Sequence, residues 1–229
     1  MFSNVVKKFS PSDFPQPNLI DADSVPVLRW GIIGAGDIAD VFINTLQKHT
    51  RQEVVGIASK TAGKADVLGE KYGIARRFNS YEELCSQDDI DVVYIATLPQ
   101  THLQDALIAI NSSKHVLIEK PSTIRRSDAE KLYAAARSAG VFAMEAMWSR
   151  YLPQAEMIRT LVREKTLGEI ELIQVDFGQD NRTIERLWLP GASIMQDMGI
   201  YPIAFTVDVL GLPEKITATG TLHSPQSEA

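Results

Sequence analysis

The chain has 229 residues, of which 45% are hydrophobic and 23% are charged, a composition typical of globular proteins and outside the range of disordered or fibrous chains. The 23 Lys and Arg residues against 29 Asp and Glu residues give a formal net charge of −6, so no basic surface for a nucleic-acid backbone is predicted. No stretch reaches the roughly 18 apolar residues of a membrane-spanning helix. Neither nucleic acid nor a membrane is therefore expected as a partner.

Cys85 is the single cysteine, so no internal disulfide can form, and a cytosolic location is expected. No spacing of His, Cys, Asp and Glu is typical of a metal site, and no metal is predicted. Residues 1–26 carry four prolines among polar and acidic residues and lack the apolar core of a secretory signal. This segment is predicted to be a flexible N-terminal arm.

From residue 27 onward, apolar runs alternate with helical patterns, which is typical of repeated strand–helix units around a parallel sheet. The predicted strands are Val27–Gly34, Glu53–Ser59, Arg77–Phe78, Asp91–Ala96, His115–Glu119 and Val141–Glu145. The predicted helices are Asp37–Lys48, Gly63–Tyr72, Tyr81–Ser86, Thr101–Ile110 and Ser127–Ala139. These units predict a doubly wound Rossmann domain of the α/β class over residues 27–150.

The pattern changes over residues 151–229. A helix is predicted over Pro153–Glu164 and another over Ser193–Leu210, and alternating strands are predicted over Glu169–Phe177 and Lys215–Leu222. Such alternation indicates a sheet with one exposed face, as in antiparallel sheets. Two strands are fewer than the roughly three that an independent sheet needs. This region therefore either packs heavily on the first domain or belongs to an incomplete chain.

The segment Gly34–Ala39 (GAGDIA) matches the pattern G-x-G-x-x-G/A. Its glycines permit a tight turn and let backbone amides approach a diphosphate at a helix N-terminus. Because the segment follows a predicted strand and opens an amphipathic helix, it predicts dinucleotide binding through Gly34, Gly36, Asp37 and Ile38. The alternative is a glycine turn needed only for strand–helix packing.

A carboxylate that binds the adenosine ribose is expected about 20 residues beyond these glycines, at the end of the second strand. Ser59 and Lys60 stand there instead. A hydroxyl and an ammonium can bind a 2′-phosphate, and no carboxylate repels it, so NADP is predicted as the preferred cofactor, with NAD possible. The alternative is that both residues merely begin a solvated loop.

Two later motifs contain candidate catalytic side chains. Lys120 follows a predicted parallel strand, at the sheet edge where open α/β sheets bind ligands, although an ordinary surface lysine would fit the same position. Asp197 and Tyr201 lie four residues apart on one face of a predicted helix and can point into one cleft. The alternative for this pair is an acidic residue near the helix start and a tyrosine packed in the core.

These motifs together resemble the glucose-fructose oxidoreductase/inositol dehydrogenase (Gfo/Idh/MocA) family. The matching stretches are Gly31–Ala39 (GIIGAGDIA), Val93–Thr97 (VYIAT) followed by His115–Pro121 (HVLIEKP), and Asp197–Pro202 (DMGIYP). Within the family, Glu145–Pro153 (EAMWSRYLP) is similar to the branch of dimeric dihydrodiol dehydrogenase and NADP-dependent D-xylose 1-dehydrogenase. The similarity covers about residues 28–222.

The resemblance implies that Lys120, Asp197 and Tyr201 surround the reacting carbon and that Trp148 and Phe177 line the substrate pocket, the alternative for the two aromatic residues being core packing. His102 is expected either to line the nicotinamide side or simply to begin a helix. The full set of expected cofactor contacts is Gly34, Gly36, Asp37, Ile38, Ser59, Lys60, Thr97, His102, Glu119 and Lys120.

The activity implied is hydride transfer between NADP or NAD and a secondary alcohol or hemiacetal carbon of a sugar or trans-dihydrodiol. Tyr201 would act as general acid/base and Lys120 would polarise the substrate oxygen, or the two roles would be exchanged, while Asp197 holds Lys120 or a substrate hydroxyl. The alternative is a non-catalytic dinucleotide-binding regulator, since the family contains a repressor branch, or an inactive fragment of a dehydrogenase.

The family pairs its nucleotide domain with an open antiparallel sheet used for substrate covering and dimerisation. Residues 151–229 are therefore predicted to form part of such an α+β domain, and the full-length protein is expected to be a homo-oligomer. Because the sequence stops at Ala229 with that sheet unfinished, a truncated chain is expected.

Overall fold

The computed structural model describes residues 10, 12, 14–188 and 192–220. Six strands form one parallel sheet: β1 Arg29–Ile33, β2 Glu53–Ala58, β3 Arg76–Phe78, β4 Val92–Ile95, β5 His115–Ile118 and β6 Ala143–Glu145. Their spatial order is β3-β2-β1-β4-β5-β6, and every neighbouring pair is parallel. This is the strand order of a dinucleotide-binding Rossmann sheet, so the predicted fold class is confirmed for this part of the chain.

Five helices connect these strands: α1 Asp37–His49, α2 Lys64–Tyr72, α3 Tyr81–Cys85, α4 His102–Asn111 and α5 Arg126–Ala139. Their ends follow ordinary capping chemistry. The Ser80 hydroxyl accepts a hydrogen bond from the Glu83 amide at the start of α3, and Gly73 and Gly140 end α2 and α5 with left-handed backbone. Each strand and helix predicted before residue 150 is present, with ends that differ by at most two residues.

The core lies on both faces of the sheet because successive strand residues point to opposite sides. On one face, Ile33 and Val93 pack in a buried cluster with side chains of α3, α4 and α5. On the other face, Ile32 and Tyr94 pack with side chains of α1 and α2. Because both faces are covered, the central strand β4 is a fully buried apolar run. The loops that follow the carboxyl ends of the strands remain available for a ligand.

The second region contains helices and turns. These are a 3-10 turn Trp148–Tyr151, α6 Pro153–Arg163, a 3-10 turn Glu185–Trp188, a π-turn Met195–Gly199 and α7 Ile200–Leu210. The long helix predicted over Ser193–Leu210 is thus divided. Pro202 has no N–H to donate to the carbonyl of Met198, four residues earlier, and this interrupts the regular helical ladder where the π-turn lies.

The prediction of a strand over Glu169–Phe177 is wrong, since residues 169–177 do not pair with any strand in the structure. A strand needs a neighbour for its backbone hydrogen bonds, and no other described segment of the second region provides one. Residues 215–220 of the predicted strand Lys215–Leu222 are likewise unpaired, and Thr221 and Leu222 lie outside the described residues. The antiparallel sheet predicted for this region is therefore not formed in the described part of the chain.

Among the residues that the structure describes, no helix combines the length and apolar character needed to cross a bilayer. The same residues contain no group of three or more His, Cys, Asp or Glu side chains arranged to hold a metal ion.

Candidate active site

The turn between β1 and α1 is built around Gly34, whose φ of +94° is a left-handed conformation that favours glycine. A Cβ at this position would lie 2.6 Å from the carbonyl oxygen of Ala96, at the end of β4. The Gly34 amide donates a hydrogen bond to the Ala58 carbonyl at 2.9 Å. Gly34 thus packs the turn tightly between the ends of two strands.

Gly36 is different, because it faces open space. It is the N-cap of α1, no side chain caps this helix, and a Cβ built on Gly36 would have no neighbour within 4 Å. Asp37 begins the helix and the Ile38 side chain is exposed. The open first turn of α1 offers backbone amides and the positive end of a helix dipole, so this turn fits a dinucleotide diphosphate.

The end of β2 presents a cation. Ser59 is buried, and its hydroxyl accepts a hydrogen bond from the Thr61 amide at 3.2 Å. The Lys60 side chain is 61% exposed, with its ammonium 3.9 Å from the Asp105 carboxylate and 4.3 Å from the centre of the Tyr81 ring. The ammonium therefore remains accessible to an anion at the carboxyl edge of the sheet.

Asp105 is a buried carboxylate that the sequence analysis did not identify. It accepts a hydrogen bond from the Thr97 hydroxyl at 2.7 Å, and the Thr101 hydroxyl lies 3.0 Å from that of Thr97. Its position on the apolar face of α4, one turn before the buried Ala109, was the available signal. Thr97 is thus held at the end of β4 by a residue of the following helix.

His102 is completely buried, with no surface exposed towards the cleft. Its Nδ1 lies 2.8 Å from the Pro121 carbonyl oxygen, and its Nε2 lies 3.0 Å from the Thr97 carbonyl oxygen. The imidazole connects the segments that follow β4 and β5. This placement favours the structural alternative for His102 over direct contact with a cofactor.

Glu119 is also directed towards the protein. Its Oε1 accepts a hydrogen bond from the Tyr94 hydroxyl at 2.5 Å, and its Oε2 accepts one from the Lys120 amide at 3.1 Å. Burial and the charge of Glu119 raise the pKa of Tyr94 far above its usual range, so this phenol remains a donor. Glu119 consequently fixes the start of the loop that carries Lys120.

The Lys120 side chain projects from this loop and reaches the π-turn. Its Nζ donates to the main-chain oxygen and to the Oδ1 of Asp197, at 3.0 Å each. Both side chains are largely enclosed, with 14% of Lys120 and 15% of Asp197 exposed. The same ammonium lies over the Tyr201 ring, 5.1 Å from its centre. Three predicted catalytic side chains are thus in one cluster.

Tyr201 is also enclosed by aromatic neighbours. Its hydroxyl oxygen accepts a hydrogen bond from Trp148 Nε1 at 3.0 Å. The centre of its ring is 5.7 Å from that of Trp148 and 5.4 Å from that of Phe177. Both aromatic residues predicted to line the substrate pocket therefore contact the predicted catalytic tyrosine.

A mainly apolar cavity of about 240 Å³, which Arg150 and Asp208 also line, lies beside this cluster. Trp148, Val175, Phe177, Tyr201, Pro202 and Phe205 are among the residues that line it. Small-molecule sites typically combine such walls with a few converging polar groups. A cation, a phenol and an apolar cavity therefore occur together at one end of the Rossmann sheet.

Comparisons with known proteins give two family matches. Residues 28–147 match the GFO/IDH/MocA model described as an oxidoreductase family with an NAD-binding Rossmann fold. Residues 155–229 match the GFO/IDH/MocA C-terminal domain. Mouse trans-1,2-dihydrobenzene-1,2-diol dehydrogenase is 36% identical over 202 residues, which are 86% of this chain and 61% of the mouse protein. The chain thus spans about three fifths of the length of this relative.

Two solved structures illustrate the structural similarity. KijD10, a 3-ketoreductase from Actinomadura kijaniata solved with TDP-benzene and NADP, is 30% identical with a TM-score of 0.66, over 81% of this chain and 57% of KijD10. Scyllo-inositol dehydrogenase from Lactobacillus casei, solved with NAD(H) and scyllo-inositol, has a TM-score of 0.74 at 20% identity, over 81% of this chain and 57% of that chain. The second similarity concerns the fold alone.

Proposed function

Because the chain belongs to the GFO/IDH/MocA oxidoreductase family, we propose that it is an NAD(P)-dependent dehydrogenase acting on a secondary alcohol or hemiacetal carbon of a sugar or diol. The main support for this proposal is the cluster in which the Lys120 ammonium, bound by Asp197, lies over the ring of Tyr201. The relative that acts on a dihydrodiol supports the substrate class. The apolar walls beside Tyr201 suit the carbon skeleton of such a substrate.

The residues present fit a dinucleotide. The open first turn of α1 at Gly36 would hold the diphosphate, and Lys60 lies at the strand end where the adenosine ribose is recognised in this fold. A bound nicotinamide supplies the hydride acceptor or donor. Everything else that the reaction needs, namely proton transfer, polarisation and a fixed pose, must come from the protein.

Oxidation of an alcohol requires that a proton leave its oxygen. Tyr201 is the proposed general acid/base, and its oxygen is held by the indole N–H of Trp148. Lys120 polarises the substrate oxygen with an ammonium that Asp197 fixes through two contacts. The enclosure of Lys120 and Asp197 strengthens these electrostatic interactions, because water screens them less.

Two substitutions test this assignment. In Lys120→Met and Tyr201→Phe, turnover is expected to fall roughly 100-fold or more while dinucleotide affinity persists, because both side chains act on the reacting group. Lys131→Met is a matched control, since Lys131 is exposed on α5. Turnover should be measured with D-xylose, glucose and a trans-dihydrodiol as substrates.

Unchanged turnover in both variants would show that neither Lys120 nor Tyr201 takes part in the reaction. Dinucleotide binding without turnover of any of the three substrates in the wild-type chain would instead favour the non-catalytic regulator.

For the cofactor, we propose a preference for NADP over NAD. Lys60 offers an ammonium whose side chain is 61% exposed at the end of β2, and Ser59 precedes it, so the strand end itself carries no Asp or Glu; the neighbouring carboxylate, Asp105, is buried and accepts a hydrogen bond from Thr97. The NADP bound to KijD10, a 30% identical structure, supports the same preference. The double variant Ser59→Asp, Lys60→Ala is expected to lower the ratio of NADPH to NADH affinity by roughly tenfold or more, since it replaces an attractive charge with a repulsive one. An unchanged ratio in a fluorescence titration would refute the assignment.

We also propose a cytosolic location, which a single, buried and unpaired cysteine supports, and homo-oligomeric assembly of the full-length protein. Several large apolar side chains of the second region are exposed, including Leu172, Leu212 and Ile216, and such surface is typical of association sites. Light scattering during size-exclusion chromatography would measure the mass of the assembly, and a monomer at all concentrations would contradict homo-oligomerisation.

A further inference from the structure

The ion pair between Arg150 and Asp208 joins two elements that also meet at Trp148 and Tyr201. Arg150 Nη2 lies 2.7 Å from Asp208 Oδ1. We infer that this ion pair positions Trp148 on the Tyr201 hydroxyl, which makes Arg150 and Asp208 positioning residues of the site. The kinetic consequence rests on the proposed function, whereas the structural consequence does not.

The spacing of the residues makes the two contacts act together. Tyr201 and Asp208 are seven residues apart on α7, which is about two turns, so both side chains project from the same face of the helix. Trp148 and Arg150 are both in the 3-10 turn Trp148–Tyr151. The turn is therefore attached to α7 at two points, one ionic and one through a hydrogen bond.

Asp208 is the more enclosed partner, with 12% of its side chain exposed against 48% of Arg150. Its second oxygen lies 3.7 Å from Nη1 of Arg159, on α6, so the carboxylate lies between two guanidinium groups. An enclosed carboxylate with two cationic neighbours is held more firmly than an exposed surface pair. Loss of its charge would release the 3-10 turn from α7 and leave both arginines without this partner.

The Trp148 indole N–H restricts the phenol. A phenolic oxygen both accepts and donates hydrogen bonds, and an indole nitrogen only donates. With Trp148 donating to it, the Tyr201 oxygen has one acceptor position occupied and its own hydrogen directed elsewhere. If the 3-10 turn moves, the phenol loses this orientation even though Tyr201 itself is unchanged.

The three tryptophans of the chain provide a direct test. The indole nitrogens of Trp30 and Trp188 donate to other acceptors, Gln52 Oε1 at 3.1 Å and the Arg182 carbonyl at 3.2 Å. In a proton–nitrogen correlation spectrum of the ¹⁵N-tryptophan-labelled chain, Trp148→Phe assigns the Trp148 signal. Tyr201→Phe gives the position of that signal without its acceptor.

Asp208→Asn is expected to move the Trp148 signal towards its position in Tyr201→Phe, while the Trp30 signal stays in place and reports an intact fold. In Asp208→Glu, which keeps the carboxylate, the Trp148 signal should lie near its wild-type position. Arg150→Gln, which leaves α7 untouched, is expected to cause the same movement and serves if Asp208→Asn fails to fold. A Trp148 signal that stays at its wild-type position in Arg150→Gln or in folded Asp208→Asn would overturn the inference.

Kinetics then separate positioning from general destabilisation. Asp208→Asn is expected to lower kcat roughly 10-fold or more with little change in the KM for the dinucleotide, because a misplaced acid/base affects the chemical step. Asp128→Asn, which breaks an exposed ion pair with Lys131 on α5, is the control and should not change kcat. If the proposed function is wrong, neither the wild-type chain nor any variant will turn over substrate. The spectra would then still show whether Asp208 positions Trp148.

Discussion

Replacement of Gly34 by alanine is expected to lower the free energy of unfolding by about 2–4 kcal/mol. An alanine at φ +94° costs on the order of 1–3 kcal/mol in backbone strain. Its Cβ would also lie 2.6 Å from the Ala96 oxygen and 2.8 Å from the Ala96 carbonyl carbon, backbone atoms that no side-chain rotation can move. With a urea dependence of roughly 2 kcal/mol per molar, the unfolding midpoint should fall by about 1–2 M.

Gly36→Ala is the matched substitution, two residues away in the same turn. Its backbone φ of −99° suits alanine and its Cβ meets nothing within 4 Å, so the urea midpoint should change little. The new methyl group would, however, occupy the space through which a diphosphate approaches the amides of α1, and NADPH affinity is expected to fall roughly tenfold or more.

Urea unfolding followed by circular dichroism and NADPH titration by fluorescence measure the two effects separately. Wild-type stability of Gly34→Ala would refute the steric reasoning. Wild-type NADPH affinity of Gly36→Ala would refute the assignment of the open turn to the diphosphate.

Two further predictions concern single titratable groups. Hydrogen bonds from Arg29 lower the pKa of Asp91 from 3.8 to about 2, so the native state binds this proton less tightly than the unfolded chain; the stabilisation is present above about pH 4 and disappears as the pH falls towards 2. Without solvent screening, this lowering of the pKa corresponds to roughly 2.4 kcal/mol; because Arg29 is 42% exposed, the expected contribution is smaller, about 1 kcal/mol. Asp91→Asn should remove this part of the acid sensitivity measured by urea unfolding. Burial raises the pKa of the Cys85 thiol to about 12, so a thiol reagent at pH 8 should modify it only in the unfolded chain; rapid modification under native conditions would contradict its burial.

The Rossmann sheet was predictable because its signals are local. Each strand–helix unit shows a change of apolar period within a short stretch, and the turn at Gly34 identifies the edge that binds a dinucleotide. Lys120 could be placed at that edge from the strand that precedes it. The convergence of Lys120 with Asp197 and Tyr201 was expected from family resemblance rather than from the residues alone.

Features that depend on distant partners could not be predicted in this way. Residues 169–177 alternate like a strand, but a strand also requires a neighbour, which no local pattern supplies. Asp105 and His102 both lie on α4, and only the fold shows that one holds Thr97 while the other connects two loops. The bond from Trp148 to Tyr201 spans 53 residues and leaves no periodic signal in the sequence.

A crystal structure of the chain with NADPH and a polyol would measure the relation on which the proposed chemistry depends. We expect Lys120 Nζ and the Tyr201 hydroxyl both to lie within hydrogen-bond distance of one substrate oxygen, beside the nicotinamide ring, with the Lys120–Asp197 contact retained. A complex in which these two groups face different surfaces, or in which the dinucleotide binds away from the Gly36 turn, would contradict the proposed dehydrogenase mechanism.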